Sequence, residues 1–285
     1  MKKVLVLLGI TVFALAFVST SHAGPPFNTT EGVGGVTFNP LAYTAGNSFD
    51  KDKKDTGFSY QDVLSKPQLG GWYVNLGGGT GVKLTTMGFA ETLFKRLELS
   101  YGYETLSTDL PALKPNIQNN YGAKLLLLPE NFSGLNFLPA ISVGTIYKQT
   151  SRVVLANTSS AWDYYVVGTK LITQLPRPVL LSAGVLSTRG LETGLLGYDR
   201  SRDSVFFGNF DILPIKQLAI GIEYKQGASY NDFHNADIWS IHAAWFATKN
   251  LTLIAAYANA GKTTAISAGS IGLGDGVAVS AQYAF

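Results

Sequence analysis

The amino-acid sequence predicts an all-β protein, an antiparallel transmembrane β-barrel of about 12 strands, and three observations support this fold class. Apolar and polar residues alternate with period two through most of the chain after residue 70. Charged residues make up only 14% of the sequence and aromatic residues 12%, whereas soluble domains carry about 25% charged residues. Turns and polar loops separate the alternating stretches, which is the pattern of outer-membrane barrels.

The first 23 residues have the pattern of a secretory signal peptide. Lys2 and Lys3 precede an uncharged apolar stretch at 4–18, and Ser21-His22-Ala23 forms a small-x-small cleavage site. The apolar stretch is shorter than the ~20 residues that a spanning helix needs, which favours cleavage after Ala23 over a membrane anchor. The chain contains no cysteine, so we expect no lipid anchor and no disulfide bond.

Period-two alternation predicts twelve strands. The clearest is RLELSYGYETLS at 96–107, where Leu97 and Leu99 share one face and Glu98 and Ser100 the other. The predicted strands are 70–78, 82–90, 96–106, 118–128, 138–149, 161–173, 178–188, 203–212, 217–226, 236–246, 250–259 and 276–285. Long and short gaps alternate between them, as expected when short turns face the periplasm and long loops the outside. The gap 129–137 is longer than expected for a periplasmic turn.

Aromatic residues lie towards the ends of the outward faces. Such rings favour the two lipid–water interfaces and form girdles around a barrel. The C-terminal strand, GVAVSAQYAF, ends on such a residue, Phe285. A secreted β-sandwich also alternates, but it would carry more surface charge, so we favour the barrel. The predicted outward aromatics are Trp72, Tyr103, Tyr121, Tyr147, Trp162, Tyr224, Trp239, Trp245, Tyr257, Tyr283 and Phe285.

The same alternation places several ionisable residues on the inward face. Charges at membrane depth are costly unless they pair or line water. Glu98 and Lys124 lie on neighbouring predicted strands, as an ion pair in the lumen would. The inward charges either line an aqueous path and set its selectivity or pair across a closed lumen, and for twelve strands both interpretations stay open. The predicted lumen residues are Arg96, Glu98, Glu104, Lys124, Lys148, Glu223, Lys225 and His242.

Residues 24–69 differ from the predicted strands. EGVGGVTFNPLAYTAG at 31–46 is rich in glycine, Pro40 disfavours a central strand, and residues 47–68 are polar and charged. A thirteenth strand would break the even strand count of such barrels. We therefore divide the chain into a signal peptide (1–23), a segment that is periplasmic or plugs the lumen (24–69) and a barrel (70–285).

Ser240 and His242 share the inward face of one predicted strand, as a nucleophile and base in a lipid-active enzyme would. A lumen histidine bonded to its neighbours is the preferred interpretation, so we predict no catalytic residue and no enzyme. With three histidines and no cysteine, the chain is not expected to hold a transition metal or a cofactor. The net charge of +3 is too small to indicate nucleic acid.

Several phrases resemble a family of proteobacterial outer-membrane β-barrel proteins catalogued as domain-of-unknown-function family 3034. The most specific is HAAWFATKNLTLIAAYANAG, and the resemblance covers nearly the whole mature chain. It implies an outer-membrane barrel and supplies no catalytic residues. The other phrases are EGVGGVTFNPLAYTAG, RLELSYGYETLS, NNYGAKLLLL, LPAISVGTIYKQ, DYYVVGTKL and IGIEYKQ.

The leading functional hypothesis is a passive pore or channel for small solutes. The alternative is a closed structural or adhesive barrel that acts through loops 189–202 and 260–275, and a lipid-active enzyme is a distant third. We expect the protein in the outer membrane of a Gram-negative bacterium, in contact with outer-membrane lipid and lipopolysaccharide. The C-terminal strand resembles the signal read by the barrel assembly machinery. The solute and the oligomeric state do not follow from the sequence.

Overall fold

A computed structural model describes residues 28–45, 63–77, 81–109, 115–155, 158–262 and 269–285. The predicted signal peptide at 1–23 lies outside the described residues. So do residues 24–27 and 46–62 of the predicted N-terminal segment. No helix in the described part of the chain is long and apolar enough to cross a bilayer.

Twelve strands of the described chain close into one antiparallel barrel, which confirms the predicted fold class. β1 pairs with the last strand, β14, and so closes the sheet without leaving an edge. Each predicted strand overlaps one of the twelve observed strands. These are β1 (Gln68–Asn75), β2 (Lys83–Leu93), β3 (Leu97–Ser107), β4 (Asn116–Leu128), β5 (Ala140–Thr150), β6 (Ser160–Ile172), β7 (Val179–Gly190), β8 (Tyr198–Ile215), β9 (Leu218–Lys225), β11 (Ile238–Phe246), β12 (Leu251–Asn259) and β14 (Asp275–Ala284).

The connections give the barrel two unlike ends. At one end, here called the turn end, four connections are short: 94–96, 173–178, 216–217 and 247–250. At the other, the loop end, most are longer: 108–115, 151–159, 191–197, 226–237 and 260–274. Two loop-end connections carry short strands, β10 (His234–Asn235) and β13 (Ser270–Ile271), which pair in parallel. The C-terminus lies at the turn end, where the amide of Phe285 donates to the carbonyl of Pro67 at 3.1 Å.

Alternation along the strands gives the barrel an apolar exterior and a polar interior. In β14, Val277 and Val279 are exposed, while Ser280 and Gln282 are buried inside. Outward rings form rows around the wall, such as Tyr101–Tyr121–Tyr147–Trp162, whose successive centroids lie 5.0 to 6.3 Å apart. The predicted girdle residues Trp239, Trp245, Tyr257, Tyr283 and Phe285 are all exposed on the outer surface. Their contact with a membrane stays a prediction.

One outward assignment is wrong: Trp72 lies inside the barrel and is only 2% exposed. On β1 the outward residues are Leu69 and Tyr73, so Trp72 points to the lumen. Its indole Nε1 donates to the carbonyl of Asn28 at 2.8 Å. A buried indole N–H needs such a partner, and that partner comes from the N-terminal segment rather than from a strand.

Candidate functional site: the filled lumen

Residues 28–45, here called the lumen segment, lie inside the barrel and are bonded to its inner wall. Both ends of the segment contact the wall near the turn end. Asn28 accepts from Trp72, from Gln68 Nε2 at 2.7 Å and from Gln282 Nε2 at 2.9 Å. At the other end, the amide of Ala42 donates to Thr169 Oγ1 at 2.8 Å, and Ser142 donates back to the carbonyl of Ala42 at 2.5 Å. Both ends of the lumen segment therefore lie on the same side of the barrel.

Glu98 and Lys124 form the ion pair that their strands predict. They are directly opposite each other in the β3–β4 register, and Lys124 Nζ lies 2.8 Å from Glu98 Oε2, with both side chains fully buried. Glu98 also accepts from the amides of Gly34 at 2.9 Å and Ala45 at 2.7 Å. Lys124 donates to the carbonyl of Gly34 at 3.0 Å. This pair thus holds the lumen segment at two points of its backbone.

Glu223 holds the backbone of the lumen segment on the opposite wall. Its carboxylate accepts from the amide of Thr37 at 3.0 Å and from that of Asn39 at 3.4 Å. Asn209 Nδ2 donates to it at 2.9 Å and Ser240 Oγ at 3.3 Å. A carboxylate buried in a wall is stable when hydrogen bonds satisfy its oxygens, and here the lumen segment supplies two of the donors.

Lys148 lies deeper, towards the loop end, between two acids. Its Nζ is 2.9 Å from Asp163 on the neighbouring strand and 2.5 Å from Glu31 of the lumen segment. It also donates to the carbonyl of Thr193 at 3.1 Å. Lys148 therefore joins three parts of the structure: the wall, the lumen segment and a loop of the loop end.

The other four predicted lumen residues are also buried inside. Arg96 donates to the carbonyls of Leu126 and Leu127 near the turn end. Glu104 accepts from Asn120 at 3.1 Å. Lys225 lies over the ring of Phe38 at 5.5 Å, and His242 Nε2 is 2.6 Å from Asp211. All eight predicted residues thus face the lumen, but their role in solute passage stays a prediction.

Ser240 and His242 are not coupled as a nucleophile and base. Ser240 donates to Glu223, while His242 contacts Asp211 through Nε2. Nucleophilic catalysis requires the base within hydrogen-bond reach of the hydroxyl, and the structure gives each residue a different partner. Among the described residues, no group of three or more acidic or histidine side chains is placed to hold a metal ion.

Backbone meets backbone where the lumen segment crosses β3. Gly32 has φ of 86°, a left-handed conformation that favours glycine. A Cβ on Gly102 would lie 2.2 Å from the carbonyl oxygen of Glu31 and 3.0 Å from the amide nitrogen of Gly32. Neither atom belongs to a flexible side chain, so a substitution at Gly102 has to displace the lumen segment itself.

At the loop end, residues 191–197 fold inward over the barrel mouth and are here called the lid loop. Their carbonyls accept from side chains of the inner wall: Thr193 from Gln118 at 3.1 Å, Gly194 from Thr150 at 2.7 Å and Leu195 from Asn116 at 2.7 Å. The apolar residues of the lid loop are buried in a cluster with other loop-end residues, among them Leu191, Leu195, Leu196, Tyr230, Ile271 and Leu273. The lid loop thus covers the mouth that the lumen segment does not reach.

Glu192 in the lid loop is a buried carboxyl group with no hydrogen bond to either oxygen among the described residues. It has φ of 44°, a left-handed backbone that non-glycine residues rarely adopt. It lines a cavity of about 20 Å³ together with Lys148, Lys225 and Asn235, which is room for about one water molecule. Burial raises the pKa of Glu192 to about 8, against the opposing effects of the charge of Lys225 and the nearby backbone amide of Ala236.

The lid loop is therefore expected to open more often as the pH rises towards about 8 and to change little above it. An exposed glutamate ionises near pH 4.3, so the closed state is fully stable below that pH and loses stability as the pH rises, until Glu192 ionises in place. Because the chain has no cysteine, Leu196→Cys gives a single buried thiol whose reaction with a maleimide reports opening. The measurement is the labelling rate between pH 6 and 9.

The control for this experiment is Glu192→Gln in the same Leu196→Cys protein. Thiol ionisation accelerates labelling in both proteins alike, so only the difference between them reports Glu192. We divide the labelling rate of the protein with Glu192 by that of the protein with glutamine at this position. We expect this ratio to rise by tenfold or more between pH 6 and 9. A ratio that stays constant with pH would contradict the assignment.

Sequence reasoning missed several partners of the predicted charges. Asp163 was not predicted because both faces of β6 carry apolar residues. It nevertheless lies on the same face of the strand as the inward Tyr165. Asp211 was also missed, although it lies on the same inward face of β8 as Asn209. Glu192 lies in a loop, where alternation carries no information. Glu31 lies in a glycine-rich stretch without periodicity.

The fold and its polar lumen define a class of protein: a porin-like β-barrel whose interior is filled. The chain matches the family described as Protein of unknown function (DUF3034) over residues 25–270, and it belongs to that family. A comparison with curated proteins finds no match.

Solved structures with a similar fold include porins. The KdgM porin is 12% identical with a TM-score of 0.52, and the alignment covers 76% of this chain and 99% of that one. KdgM in complex with disordered oligogalacturonate gives a TM-score of 0.50 at 12% identity, covering 76% and 99%. The Acinetobacter baumannii outer membrane protein Omp33 is 10% identical with a TM-score of 0.47, covering 79% and 100%. At these identities the likeness concerns the fold.

Proposed function

We propose that this protein is a gated outer-membrane channel for small polar solutes, in which the lumen segment is the plug and the lid loop is a second closure. The passive pore expected from the sequence then describes the open state. In the closed state the inward charges are buried, and Glu98, Lys124 and Lys148 are in ion pairs. The proposal includes no covalent step, since a channel needs only a polar path and a way to open it.

One observation carries this proposal: polar contacts with the wall hold the lumen segment at several points, beside an apolar cluster that includes its Val33 and Ala42. Glu98, Lys124 and Glu223 bind its backbone, and Lys148 binds its Glu31 side chain. Such contacts exchange for water at modest net cost when the segment withdraws. The wall that it uncovers is lined by both signs of charge, as in an aqueous channel with a defined selectivity.

The second candidate, a closed barrel that acts through its loops, is favoured by the apolar cluster at the loop end. Leu191, Leu195 and Leu196 pack there against Ile271 and Leu273, and burial of such side chains contributes about 1.5–3 kcal/mol each. That cluster favours a mouth that stays shut. The two candidates differ in whether the purified protein conducts ions at all.

Gly102→Ala tests the gating proposal in planar bilayers. The added Cβ would lie 2.2 Å from the carbonyl oxygen of Glu31, so we expect the plug to be displaced and openings to become at least tenfold more frequent than in the parent protein. The measurement is the open probability at fixed voltage. A folded Gly102→Ala protein that opens no more often than its parent would contradict the plug role.

Gly168→Ala is the matched control for this experiment. Gly168 is also a glycine within a barrel strand, but a Cβ there would meet nothing closer than 3.8 Å. We therefore expect the open probability of Gly168→Ala to equal that of the parent. Heat-modifiable migration of both variants on gels checks that each barrel is folded before it is recorded.

A further inference from the structure

The outer wall carries an apolar groove that begins near the turn end and runs across β3 to β7. Its volume is about 570 Å³, within the range of ligand pockets, about 300–1,000 Å³. Small outward side chains such as Ala123, Val143 and Val185 form its floor, between the larger Leu125 and Tyr164. A groove of this size on the lipid-facing side accommodates acyl chain rather than a polar solute.

Arg202 lies at the end of the groove that is nearer the loop end. Its guanidinium is held flat against the wall: Nη1 donates to the carbonyl of Ser187 at 2.8 Å and Nη2 to that of Trp162 at 2.6 Å. It also lies over the ring of Tyr164 at 5.1 Å. Ser187 and Tyr164 themselves line the groove. The guanidinium and the apolar groove therefore form one continuous surface.

Two more arginines lie beside Arg202 on the same pair of strands. Arg189 donates from Nε to the carbonyl of Asp199 at 2.6 Å, and Arg200 is exposed. Like charges on adjacent strands repel each other. Among the described residues, no carboxylate lies within ion-pair distance of any of these three arginines. This group, here called the arginine cluster, thus has an uncompensated positive charge.

The nearby acids are engaged elsewhere. Asp199 is 5% exposed and accepts from the amide and hydroxyl of Ser201. Asp203 accepts from the amides of Ser204 and Ser229. The N–H groups of these arginines that the carbonyl contacts leave unused are well shaped for contact with phosphate. An external anion with phosphate-like geometry would therefore supply the counter-charge that these acids do not.

We infer that the groove and the arginine cluster together bind one lipid of the outer leaflet, with its acyl chain in the groove and its head-group phosphate on the arginines. The loop end faces the outer leaflet, because the long loops of such barrels are extracellular. Lipid A, the phosphorylated glycolipid anchor of lipopolysaccharide, has both parts. This inference is independent of whether the barrel conducts.

The test is binding of lipid A to the purified full-length protein in detergent, measured by native mass spectrometry as the fraction of lipid-bound protein. We expect saturable binding of one lipid A. We expect the double variant Arg189→Gln/Arg202→Gln to bind at least about tenfold more weakly, as expected for the loss of charge-assisted hydrogen bonds. Dephosphorylated lipid A should bind the parent as weakly as lipid A binds the double variant.

Three further measurements separate the groove from the head-group site and from general charge. Val143→Trp fills the groove and should weaken lipid A binding with the arginines intact. Arg177→Gln removes an exposed arginine from the connection 173–178 at the turn end and should leave binding unchanged. Inorganic phosphate at millimolar concentration should not displace lipid A. Any of three results would overturn the inference. They are a loss of lipid A binding in Arg177→Gln equal to that of the double variant, full lipid A binding by the double variant, and displacement of lipid A by phosphate alone.

Discussion

Removal of residues 28–45 is expected to give a barrel that opens far more often in planar bilayers than the parent protein does, with the lid loop as its remaining closure. The segment satisfies wall groups that water satisfies equally well, such as Gln68, Gln282 and the carboxylate of Glu223. The strand pairs Glu98–Lys124 and Lys148–Asp163 keep their partners without it. With the lid loop as the remaining closure, the recording should show openings that are longer and at least tenfold more frequent than those of the parent protein.

A reversible lock gives the opposite result in the same assay. A Cβ on Gly70 would lie 3.2 Å from the Cβ of Asn28, and disulfides span about 3.5–4.5 Å between these atoms. The chain contains no other cysteine, so Asn28→Cys/Gly70→Cys forms one defined bond after a small shift. Openings should fall at least tenfold under oxidising conditions and return after reduction.

These two proteins also distinguish the proposed channel from a closed barrel. If the deletion protein shows heat-modifiable migration but no conductance step, wall side chains and the lid loop close the barrel without the lumen segment. The channel proposal then fails, and the closed barrel that acts through its loops stands. Equal open probability before and after reduction of the lock would refute the plug role alone.

The barrel could be predicted from the sequence because one physical rule acts on every strand. A strand between lipid and lumen has to alternate, so the inward position of Glu98 and the outward position of Trp245 follow from parity. The ion pair between Glu98 and Lys124 follows as well, because β3 and β4 are neighbours in both sequence and space. Closure by β14 follows from its alternation up to the last residue.

The contents of the lumen could not be predicted in this way. Trp72 was placed on the wrong face because its inward position depends on Asn28, a contact between segments that share no periodic pattern. The choice between a periplasmic segment and a plug likewise depends on backbone amides, such as those of Gly34 and Thr37, that are present in any sequence. The connection 129–139, longer than the other turn-end connections, also contacts the lumen segment: its Glu130 accepts from the hydroxyl of Tyr43.

Replacement of Glu98 by glutamine is expected to lower the free energy of unfolding by about 3–5 kcal/mol, the usual cost of removing one partner from a buried ion pair. Lys124 is fully buried and its ammonium group lies 2.8 Å from the lost charge. Lys124→Met, which leaves Glu98 unpaired instead, should cost a similar amount. The measurement is urea unfolding of the barrel in lipid vesicles, followed by tryptophan fluorescence.

In the double variant Glu98→Gln/Lys124→Met no buried charge is left alone. We therefore expect its loss in free energy of unfolding to be smaller than the sum of the two single losses by at least about 2 kcal/mol. Lys170→Gln is the control: its pair with Glu130 at 3.1 Å has side chains that are 15% exposed and lies near the turn end. Its loss should cost about 1 kcal/mol or less.

The same variants separate stability from gating. Glutamine at 98 keeps a side-chain oxygen that can accept from the amides of Gly34 and Ala45 but removes the charge that strengthens both bonds. The plug should therefore leave more readily, and open channels should become less selective for cations because one acidic group of the wall is gone. Unchanged open probability and unchanged selectivity in Glu98→Gln would show that the Glu98–Lys124 pair stabilises the barrel without taking part in gating.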